Sequence, residues 1–402
     1  MAIRIFYGWW IVLACFFIGL YVGGVVFYGF TAFFDPIREE FGWSYTPISF
    51  AVSLRGLEMG LMAPLVGFLV DRFGSRKLIL YGTFTVGLGL IFLSLTRSLG
   101  VFYGAFLLVA FGAGGCTVVV PMSTVANWFH KKVSIAMGVM ASGIGFSGFL
   151  VPLIVWLIDG YGWRTTLVIL GLGMWIMGIP LALVIRDRPE QYGCLPDGEL
   201  SPEPIPKLKI KDKGVEIGFK EALKKRSFLS LCTVEAIRMI TVAAIIIHVM
   251  PYLGSEGIPR HTAGMVAGAI PLFSIIGRFG FGWLGDVFDK KYVLVWALFL
   301  MGLGMLAFCY VRVTGIILLF LLLFAPGYGG GMVIRGAILR EYFGRDSFGK
   351  MFGILMGFGS IGGIIGPTLA GWSFDTLGSY STLWFVFCGM IGLAIGLMLR
   401  IR

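Results

Sequence analysis

The sequence predicts an all-α membrane protein with twelve transmembrane helices in two pseudo-symmetric six-helix bundles. Three observations lead to this prediction: the apolar composition, the length of the apolar runs and an internal repeat. Apolar residues make up 58% of the 402 positions and charged residues 13%, with a mean hydropathy of +0.91. Since soluble domains carry about 25% charged residues, the composition indicates a membrane protein.

The apolar runs are about 20 residues or longer, and charged residues cluster between them. A run of this length crosses a bilayer as a helix. Only helices and closed barrels satisfy their backbone polar groups in lipid, and barrel strands would appear as short segments of alternating polarity. The continuous runs therefore predict helices.

Two similar stretches lie at the ends of apolar runs, GFLVDRFGSRK at 67–77 and GWLGDVFDKK at 282–291. Their shared Gly, Leu and Asp residues are 215 positions apart. The same offset relates four further pairs: Gly112 and Gly327, Gly138 and Gly353, Gly148 and Gly363, Pro152 and Pro367. One offset that holds in separate regions indicates two copies of one unit. The apolar segments at 134–158 and 350–374, the fifth and the eleventh, are the glycine-rich pair, and we expect them to meet each other.

Twelve apolar segments follow one another along the chain. Their predicted bounds are 8–34, 48–70, 78–96, 100–128, 134–158, 165–185, 228–253, 262–285, 292–310, 315–339, 350–374 and 382–399. The long hydrophilic stretch lies between the sixth and seventh segments. The predicted domains are therefore an N-terminal bundle at 1–186, a cytoplasmic linker at 187–227 and a C-terminal bundle at 228–402.

Basic residues are distributed unevenly between the two predicted sides of the membrane. With the N-terminus inside, all thirteen lysines lie on the inner side, and the outer loops hold five arginines. Cytoplasmic loops of helical membrane proteins carry such an excess. We therefore predict an integral plasma (inner) membrane protein with both termini in the cytoplasm. The excess of basic residues on the inner side accounts for the net charge of +11. We therefore expect the lipid bilayer as a partner and no binding of nucleic acid. We also expect the protein to be a monomer.

The sequence contains no motif of an enzyme or of a cofactor site. It has no phosphate-binding loop and no Cys/His set with the spacing of metal ligands. Five of the six cysteines lie inside apolar runs, which argues against a disulfide framework. We expect no enzymatic activity, no metal and no cofactor.

Charged side chains inside apolar segments are costly in lipid, so each is a candidate functional residue. These residues, with one histidine, are Arg55, Glu58, Glu235, Arg238, His248, Arg278 and Arg335. The excess of arginines is what a site for an anion would need. Each glutamate stands three residues from an arginine, where it either pairs on one helix face or carries a proton. Arg335, near the inner end of its helix, is expected to reach lipid phosphates.

Arg278 differs because the residues three and four positions away from it are not acidic. A buried arginine keeps its charge, and its planar fork of donors fits a carboxylate. It either pairs with an acid of another helix or binds an anionic substrate, and we favour the substrate. His248, near the predicted outer end of helix 7, either hydrogen-bonds a neighbour or serves as gate residue, substrate donor or proton acceptor.

The loop at 67–77 contains an acid that the distribution of basic residues does not require. Asp71 lies beside Arg72 and Arg76, and Asp286 is its counterpart in the second copy. Carboxylates at membrane edges can bind helix ends or basic side chains. We expect these four residues to latch one conformation.

The stretch at 67–77 resembles the Gly-x-Leu-x-Asp-Arg-x-Gly-x-Arg-Lys loop signature of the major facilitator superfamily, which lies between helices 2 and 3. With the second copy, the twelve segments and the linker, the resemblance extends over the whole chain. It implies the major facilitator fold, a substrate site between two bundles at mid-membrane, and rocker-switch alternating access.

A narrower resemblance links shorter segments to monocarboxylate transporters and oxalate/formate antiporters. Tyr7-Gly8-Trp9-Trp10 is similar to the motif that opens their helix 1, and WFHKKVSIAMG at 128–138 is similar to their signature before helix 5. Arg278 stands where that family places its carboxylate-binding arginine. Ser274 replaces an aspartate of many eukaryotic members, and nothing basic follows Lys350 in helix 11. A lone deep cation fits one carboxylate better than two.

This resemblance implies a secondary active transporter of small anionic substrates, monocarboxylates such as lactate or pyruvate, with a proton as coupling ion. The candidate substrate-binding residues are Arg278, His248, Tyr28, Thr117, Ser142, Tyr328 and Ser360, of which the last five are chosen by their depth. The candidates for carrying the proton are His248, Glu58 and Glu235. One alternative is an exporter of drugs or sugars, which needs no buried arginine. Another is a non-transporting membrane sensor, which would need a larger cytoplasmic output domain than this linker.

Overall fold

A computed structural model describes residues 6–116, 119–129, 133–192, 223, 225–312, 314–343 and 348–401. The described part does not include the side chains of Arg55, Glu58 and Asp71, whose backbone lies inside a helix. Within these ranges the regular structure is helical, and no β-strand occurs.

The first half of the chain forms nine α-helices within the described ranges. They are α1 (Tyr7–Val22), α2 (Phe34–Phe41), α3 (Tyr45–Phe73), α4 (Ser75–Ser94), α5 (Leu99–Cys116), α6 (Val119–Trp128), α7 (Val133–Phe146), α8 (Leu150–Tyr161) and α9 (Trp163–Val184). A π-helical turn, Gly23–Tyr28, and a 3₁₀ turn, Gly29–Phe33, connect α1 to α2. A further 3₁₀ turn, Ser147–Phe149, connects α7 to α8. Predicted segments 1 and 5 are therefore continuous but irregular.

The described residues of the second half form six α-helices of 19 to 30 residues. They are α10 (Arg226–Ser255), α11 (Arg260–Val287), α12 (Lys290–Phe308), α13 (Thr314–Phe343), α14 (Phe348–Leu377) and α15 (Ser381–Arg400). Four of them contain an internal proline and still continue as helices. Neighbouring helices can compensate for the freed backbone groups in this way inside a membrane bundle.

Eleven helical stretches among the described residues are long and apolar enough to cross a membrane. Helix α3 has 29 residues, about 43 Å of helix, and occupies the position of predicted segment 2. These elements match the twelve predicted segments in order. The predicted all-α membrane fold is confirmed.

The internal repeat predicted from the 215-residue offset is visible as a repeated helix contact. A Cβ at Gly112 would lie 2.6 Å from the backbone nitrogen of Val86, and a Cβ at Gly327 would lie 2.7 Å from that of Met301. Val86 and Met301 are themselves 215 positions apart. The α4–α5 and α12–α13 pairs therefore use equivalent glycines for the same close approach.

The chain divides into two compact units. Unit 1 consists of Met1–Phe27, Leu61–Ser147 and Arg164–Lys213. Inside it, Tyr7 Oη donates to the carbonyl of Val184 at 2.8 Å, and Tyr21 Oη donates to that of Leu170 at 2.7 Å. These bonds tie the first helix to α9.

Unit 2 consists of Tyr28–Gly60, Gly148–Trp163 and Gly214–Arg402. It thus contains the C-terminal helices together with those ends of segments 1, 2 and 5 that are predicted to face outward. The predicted bundles at 1–186 and 228–402 stay a prediction, because most of the linker at 187–227 lies outside the described residues.

Two of the predicted interface glycines pack closely inside unit 2. Gly148 makes close backbone contact with Gly268 of α11, and Gly366 of α14 makes close contact with the backbone of Ile240 of α10. The expectation that segments 5 and 11 meet each other stays a prediction. Small residues mark the surface where a close neighbour packs, but they do not identify that neighbour.

We expect Gly327→Ala to destabilise the protein, because the added methyl group would overlap the backbone of α12. Overpacking of this kind costs about 1–3 kcal/mol. Gly336→Ala in the same helix is the matched control, since its Cβ would meet only Phe352 at an ordinary 3.7 Å. Thermal unfolding of the purified protein in detergent measures the difference. Equal melting temperatures for the two variants would contradict the proposed packing.

Candidate functional site

Arg278 lies half-buried near the middle of α11, against α13. Two glycines allow this close approach. A Cβ at Gly277 would lie 2.6 Å from Cα of Pro326, and a Cβ at Gly329 would lie 3.2 Å from the backbone nitrogen of Arg278. The side chain consequently reaches α13, where its Nη2 is 3.8 Å from Sδ of Met332.

Two buried tyrosines adjoin Arg278. The hydroxyls of Tyr28 and Tyr328 are 3.1 Å apart, and Arg278 forms a side-chain hydrogen bond with Tyr28. Tyr28 is the last residue of the π-helical turn, a distortion that often marks functional sites. The structure thus brings together three residues that the sequence analysis selected separately.

A buried carboxylate in the same unit is shared by two arginines. Arg238 binds Glu235 through two bonds, Nε to Oε2 at 2.9 Å and Nη2 to Oε1 at 2.7 Å. Arg335 of α13 donates from Nη1 to Oε1 of the same carboxylate. The expected pairing of Glu235 with Arg238 is therefore present. The expectation that Arg335 reaches lipid phosphates is wrong, because a buried carboxylate with free lone pairs is the nearer acceptor.

Glycines again make room for these side chains. A Cβ at Gly331 would lie 3.2 Å from Cδ of Arg238, and a Cβ at Gly359 would lie 3.3 Å from Oε1 of Glu235. Glu235 and Arg238 are only 3% and 1% exposed. Three helices, α10, α13 and α14, therefore enclose this ion pair.

We call Tyr28, Glu235, Arg238, Arg278, Tyr328 and Arg335 the basic cluster. On α13, residues 328, 332 and 335 share one face because they are spaced by four and three positions. Tyr328 also interacts electrostatically with both Arg238 and Arg335. Tyr328 thus lies near both the Tyr28–Arg278 pair and the ion pair at Glu235. Three arginines and one glutamate give the cluster two net positive charges.

His248 belongs to a different group of residues. Its Nε2 is 2.8 Å from Oγ of Ser49 and 3.0 Å from the carbonyl oxygen of Pro367, and its Nδ1 is 3.1 Å from Oη of Tyr380. Ser49 donates its own proton to the carbonyl of Tyr45 at 2.6 Å, so its oxygen is an acceptor toward the histidine. A neutral ring accounts for all three contacts if its Nε2 proton is shared between Ser49 and the carbonyl of Pro367 while Nδ1 accepts from Tyr380.

His248 and Arg238 are ten residues apart on α10, which is about 15 Å along the helix axis. The contacts of His248 tie α10 to α3, α14 and the residue before α15. The histidine is completely buried. Of the roles considered for it, this geometry fits a gate residue at the predicted outer end.

The remaining candidates are distributed over the chain. Ser142 lies in unit 1 and donates to the carbonyl of Val139. Ser360 donates to the carbonyl of Met356 at 3.0 Å, and its neighbour Gly359 adjoins Glu235. Thr117 and the side chain of Glu58 lie outside the described residues.

Of the proposed latch residues Asp71, Arg72, Arg76 and Asp286, Arg76 forms a hydrogen bond to another segment. The backbone N–H of Arg76 donates to Oδ1 of Asp187 at 2.9 Å, which ties the start of α4 to the end of segment 6 within unit 1. The side chains of Arg72 and Asp286 are exposed. The side chain of Asp71 lies outside the described part of the chain. A latch formed by these residues stays a prediction.

Sequence reasoning missed a group of polar contacts at the predicted outer end. Asp375 of α14 accepts the backbone N–H groups of Tyr45 at 3.0 Å and Thr46 at 2.8 Å, and so caps the start of α3. Arg260, the first residue of α11, donates from Nε to Asp159 of α8 at 2.8 Å. Each contact joins a segment of the first half to the second half inside unit 2.

We call Asp159, Arg260, Asp375 and His248 the closure group. A cavity of about 350 Å³ lies beside it, and Asp35, Arg38, Tyr45 and Arg260 are among its lining residues. The sequence gives little signal for this group, because Asp375 and Tyr45 are 330 positions apart. In the sequence, acids and arginines in loops have the same pattern as ordinary solvated charges, and only the packed helices show which of them meet.

Comparison with known proteins gives a consistent result. The model of the Major Facilitator Superfamily matches residues 10–248 and 236–402. Monocarboxylate transporter 13 of Bos taurus is 26% identical over 393 residues, covering 96% of this chain and 87% of the relative. Monocarboxylate transporter 12 of Homo sapiens is 26% identical over 404 residues, covering 95% and 78%.

A solved structure has the same fold. It is a bacterial homolog of the human lysosomal transporter Spinster in an inward-facing and unoccupied conformation, with a TM-score of 0.70. The two chains are 17% identical, and the match covers 98% of this chain and 95% of the other. The similarity extends over nearly the whole length of both.

We expect Asp375→Ala to loosen the start of α3, because the first backbone N–H groups of that helix would lose their acceptor. Loss of an N-terminal cap costs about 1 kcal/mol, a factor of about five in a local opening equilibrium. Hydrogen–deuterium exchange of peptides that contain Tyr45 and Thr46 should accelerate accordingly. Thr376→Ala is the control, since that hydroxyl bonds the carbonyl of Trp372 in its own helix. Unchanged exchange in Asp375→Ala would exclude the cap.

Proposed function

Because the chain belongs to the major facilitator superfamily, we propose that it is a secondary active transporter of small monocarboxylates that couples their movement to protons. Membership of this family makes the chain a membrane transporter and not an enzyme. The substrate class, the proton coupling and the rocker-switch mechanism are the proposed part.

The observation that carries the proposal is the contact of Arg278 with Tyr28, whose hydroxyl in turn meets Tyr328. A guanidinium group offers paired donors in the geometry of a carboxylate, and a tyrosine hydroxyl offers a third donor. Charge-assisted hydrogen bonds of this kind are roughly twice as strong as neutral ones. The relatives named monocarboxylate transporters, at about one quarter identity, support the same substrate class.

Proton coupling follows from the cost of moving charge through a dry cavity. A monocarboxylate that binds with a proton adds no net charge to the site, so the loaded site can reorient at lower cost. The structure describes the side chains of two of the three proton candidates, Glu235 and His248. Glu235 accepts bonds from two arginines, which stabilises its ionised form, and the contacts of His248 are satisfied by a neutral ring. We therefore assign the proton to Glu58 on α3.

The rest of the proposal concerns orientation and conformational control. Both termini face the cytoplasm of a plasma-membrane protein, and the protein acts as a monomer on a small anionic substrate. Asp71, Arg72, Arg76 and Asp286 latch the cytoplasmic side in one conformation. The closure group forms the corresponding contacts on the opposite side.

Two other functions, an exporter and a membrane sensor, would give different experimental results. An exporter of drugs or sugars would be indifferent to Arg278, because its substrates carry no carboxylate for that arginine to bind. A membrane sensor would bind a carboxylate without moving it. Counterflow of labelled substrate into proteoliposomes separates the sensor from a carrier.

We expect Arg278→Gln to reduce uptake of labelled lactate into proteoliposomes by about 10- to 100-fold, the loss of charge-assisted bonds to a carboxylate. Arg312→Gln is the matched control, because that side chain is 81% exposed and pairs with Glu256 in a loop. The melting temperature of each purified variant shows whether the fold survives. Normal lactate uptake by a folded Arg278→Gln variant would remove the central argument.

We expect Glu58→Gln to abolish proton-driven accumulation of lactate while lactate counterflow continues, because a glutamine binds no proton. Acidification of the outside should stimulate uptake in the wild type and have little effect in this variant. Glu39→Gln, an exposed acid on α2, serves as control. Accumulation that remains proton-driven in Glu58→Gln would reassign the proton to another residue.

A further inference from the structure

The ion pair at Glu235 leaves hydrogen-bond donors unused. Among the described residues, Nη1 of Arg238 and Nε of Arg335 are buried nitrogens with no hydrogen-bond partner. Arg238 is 1% exposed, and the side chain of Arg335 is 13% exposed. Buried polar groups are nearly always satisfied, so two unused donors of charged groups in one place indicate a missing acceptor.

The charge of the group indicates the same acceptor. Two arginines share the single carboxylate of Glu235, which leaves one net positive charge at this end of the basic cluster. A charge at membrane depth is costly unless it meets an opposite charge. An anionic group that binds here would satisfy both the donors and the charge.

Arg335 lies within one helical turn of the residue that Arg278 contacts, and this spacing favours a short ligand. Arg278 contacts Met332, and Arg335 lies three residues further along the same face of α13, about 5 Å of helix rise. Tyr328 on that face interacts with Arg238 and Arg335 and bonds Tyr28. Since C–C bonds are about 1.5 Å long, a carbon chain of two to four atoms spans such a distance.

We propose that Arg335 and Arg238 form a second anion subsite, which binds the second carboxylate of a short dicarboxylate whose first carboxylate lies at Arg278. This rests on the proposed function of Arg278 and extends the substrate range beyond monocarboxylates. Glu235 is the positioning residue of the subsite, because it holds two like-charged guanidinium groups side by side. A monocarboxylate fills the Arg278 subsite and leaves the second one empty.

The ion pair of Arg335 with Glu235 changes the expected substrate. The sequence indicated a lone deep cation, which fits one carboxylate. In the structure a second and a third guanidinium group lie on the helices that flank Arg278, and they share one acid. The site can therefore accept two negative charges.

Binding of lactate, malonate and succinate to the purified wild-type protein and to variants tests the proposal. We expect the wild type to bind succinate or malonate at least about 10-fold more tightly than lactate, the gain from a second charge-assisted contact. Arg335→Gln should lose this preference, with lactate affinity changed less than about three-fold. Arg312→Gln is the control that keeps both affinities.

Two results would overturn the second subsite: a wild type that binds lactate as tightly as both dicarboxylates, or an Arg335→Gln variant that weakens all three ligands equally. If Arg335→Gln does not fold, Arg335→Lys takes its place, because it keeps the pair with Glu235 but lacks the second donor. Lactate binding to an Arg278→Gln variant tests the proposed function independently of the second subsite. Lactate binding that survives in that variant counts against the proposed function, whatever the result at Arg335.

Discussion

The carboxylate of Glu235 accepts hydrogen bonds from Arg238 and Arg335, and this shared contact joins α10 to α13 beside α14. A guanidinium group among apolar helices needs an acceptor, because lipid supplies none. One acid for two arginines satisfies part of that need. The remainder leaves the region with a net positive charge, on which the proposed binding of an anion rests.

Glycines at defined positions make this arrangement possible. Gly331 and Gly359 leave space for the ion pair, while Gly277 and Gly329 allow α11 and α13 to approach at Arg278. A larger side chain at any of these positions would have to displace backbone or a buried charged group. The glycine content of these helices therefore serves the polar contacts as well as the close packing of backbones.

Helix α10 connects the two polar groups of unit 2. It carries Glu235 and Arg238 near the basic cluster and His248 in the closure group, about 15 Å further along the helix. A helix is a rigid element, so a change in contacts at one end is transmitted to the other as a displacement. The same helix therefore carries residues of both the basic cluster and the closure group.

The sequence by itself determined the class of structure. Apolar runs long enough to cross a bilayer predict helices whatever their neighbours are, since each helix satisfies its own backbone. The 215-residue offset predicted the repeat, because equivalent positions in two copies face the same packing requirement, as Gly112 and Gly327 do. Arg278 could also be selected from sequence alone, because a charged residue without a nearby acid on its own helix stands out.

The tertiary structure decided which charges meet. The sequence pattern places Arg335 at a membrane edge, but in the structure it pairs with Glu235 of α10. Asp375 has the pattern of a loop acid, but in the structure it caps the start of α3. Such contacts join residues far apart in sequence, so no local pattern records them. Charge pairing depends on distances of a few ångströms, and those distances are fixed only when the helices pack.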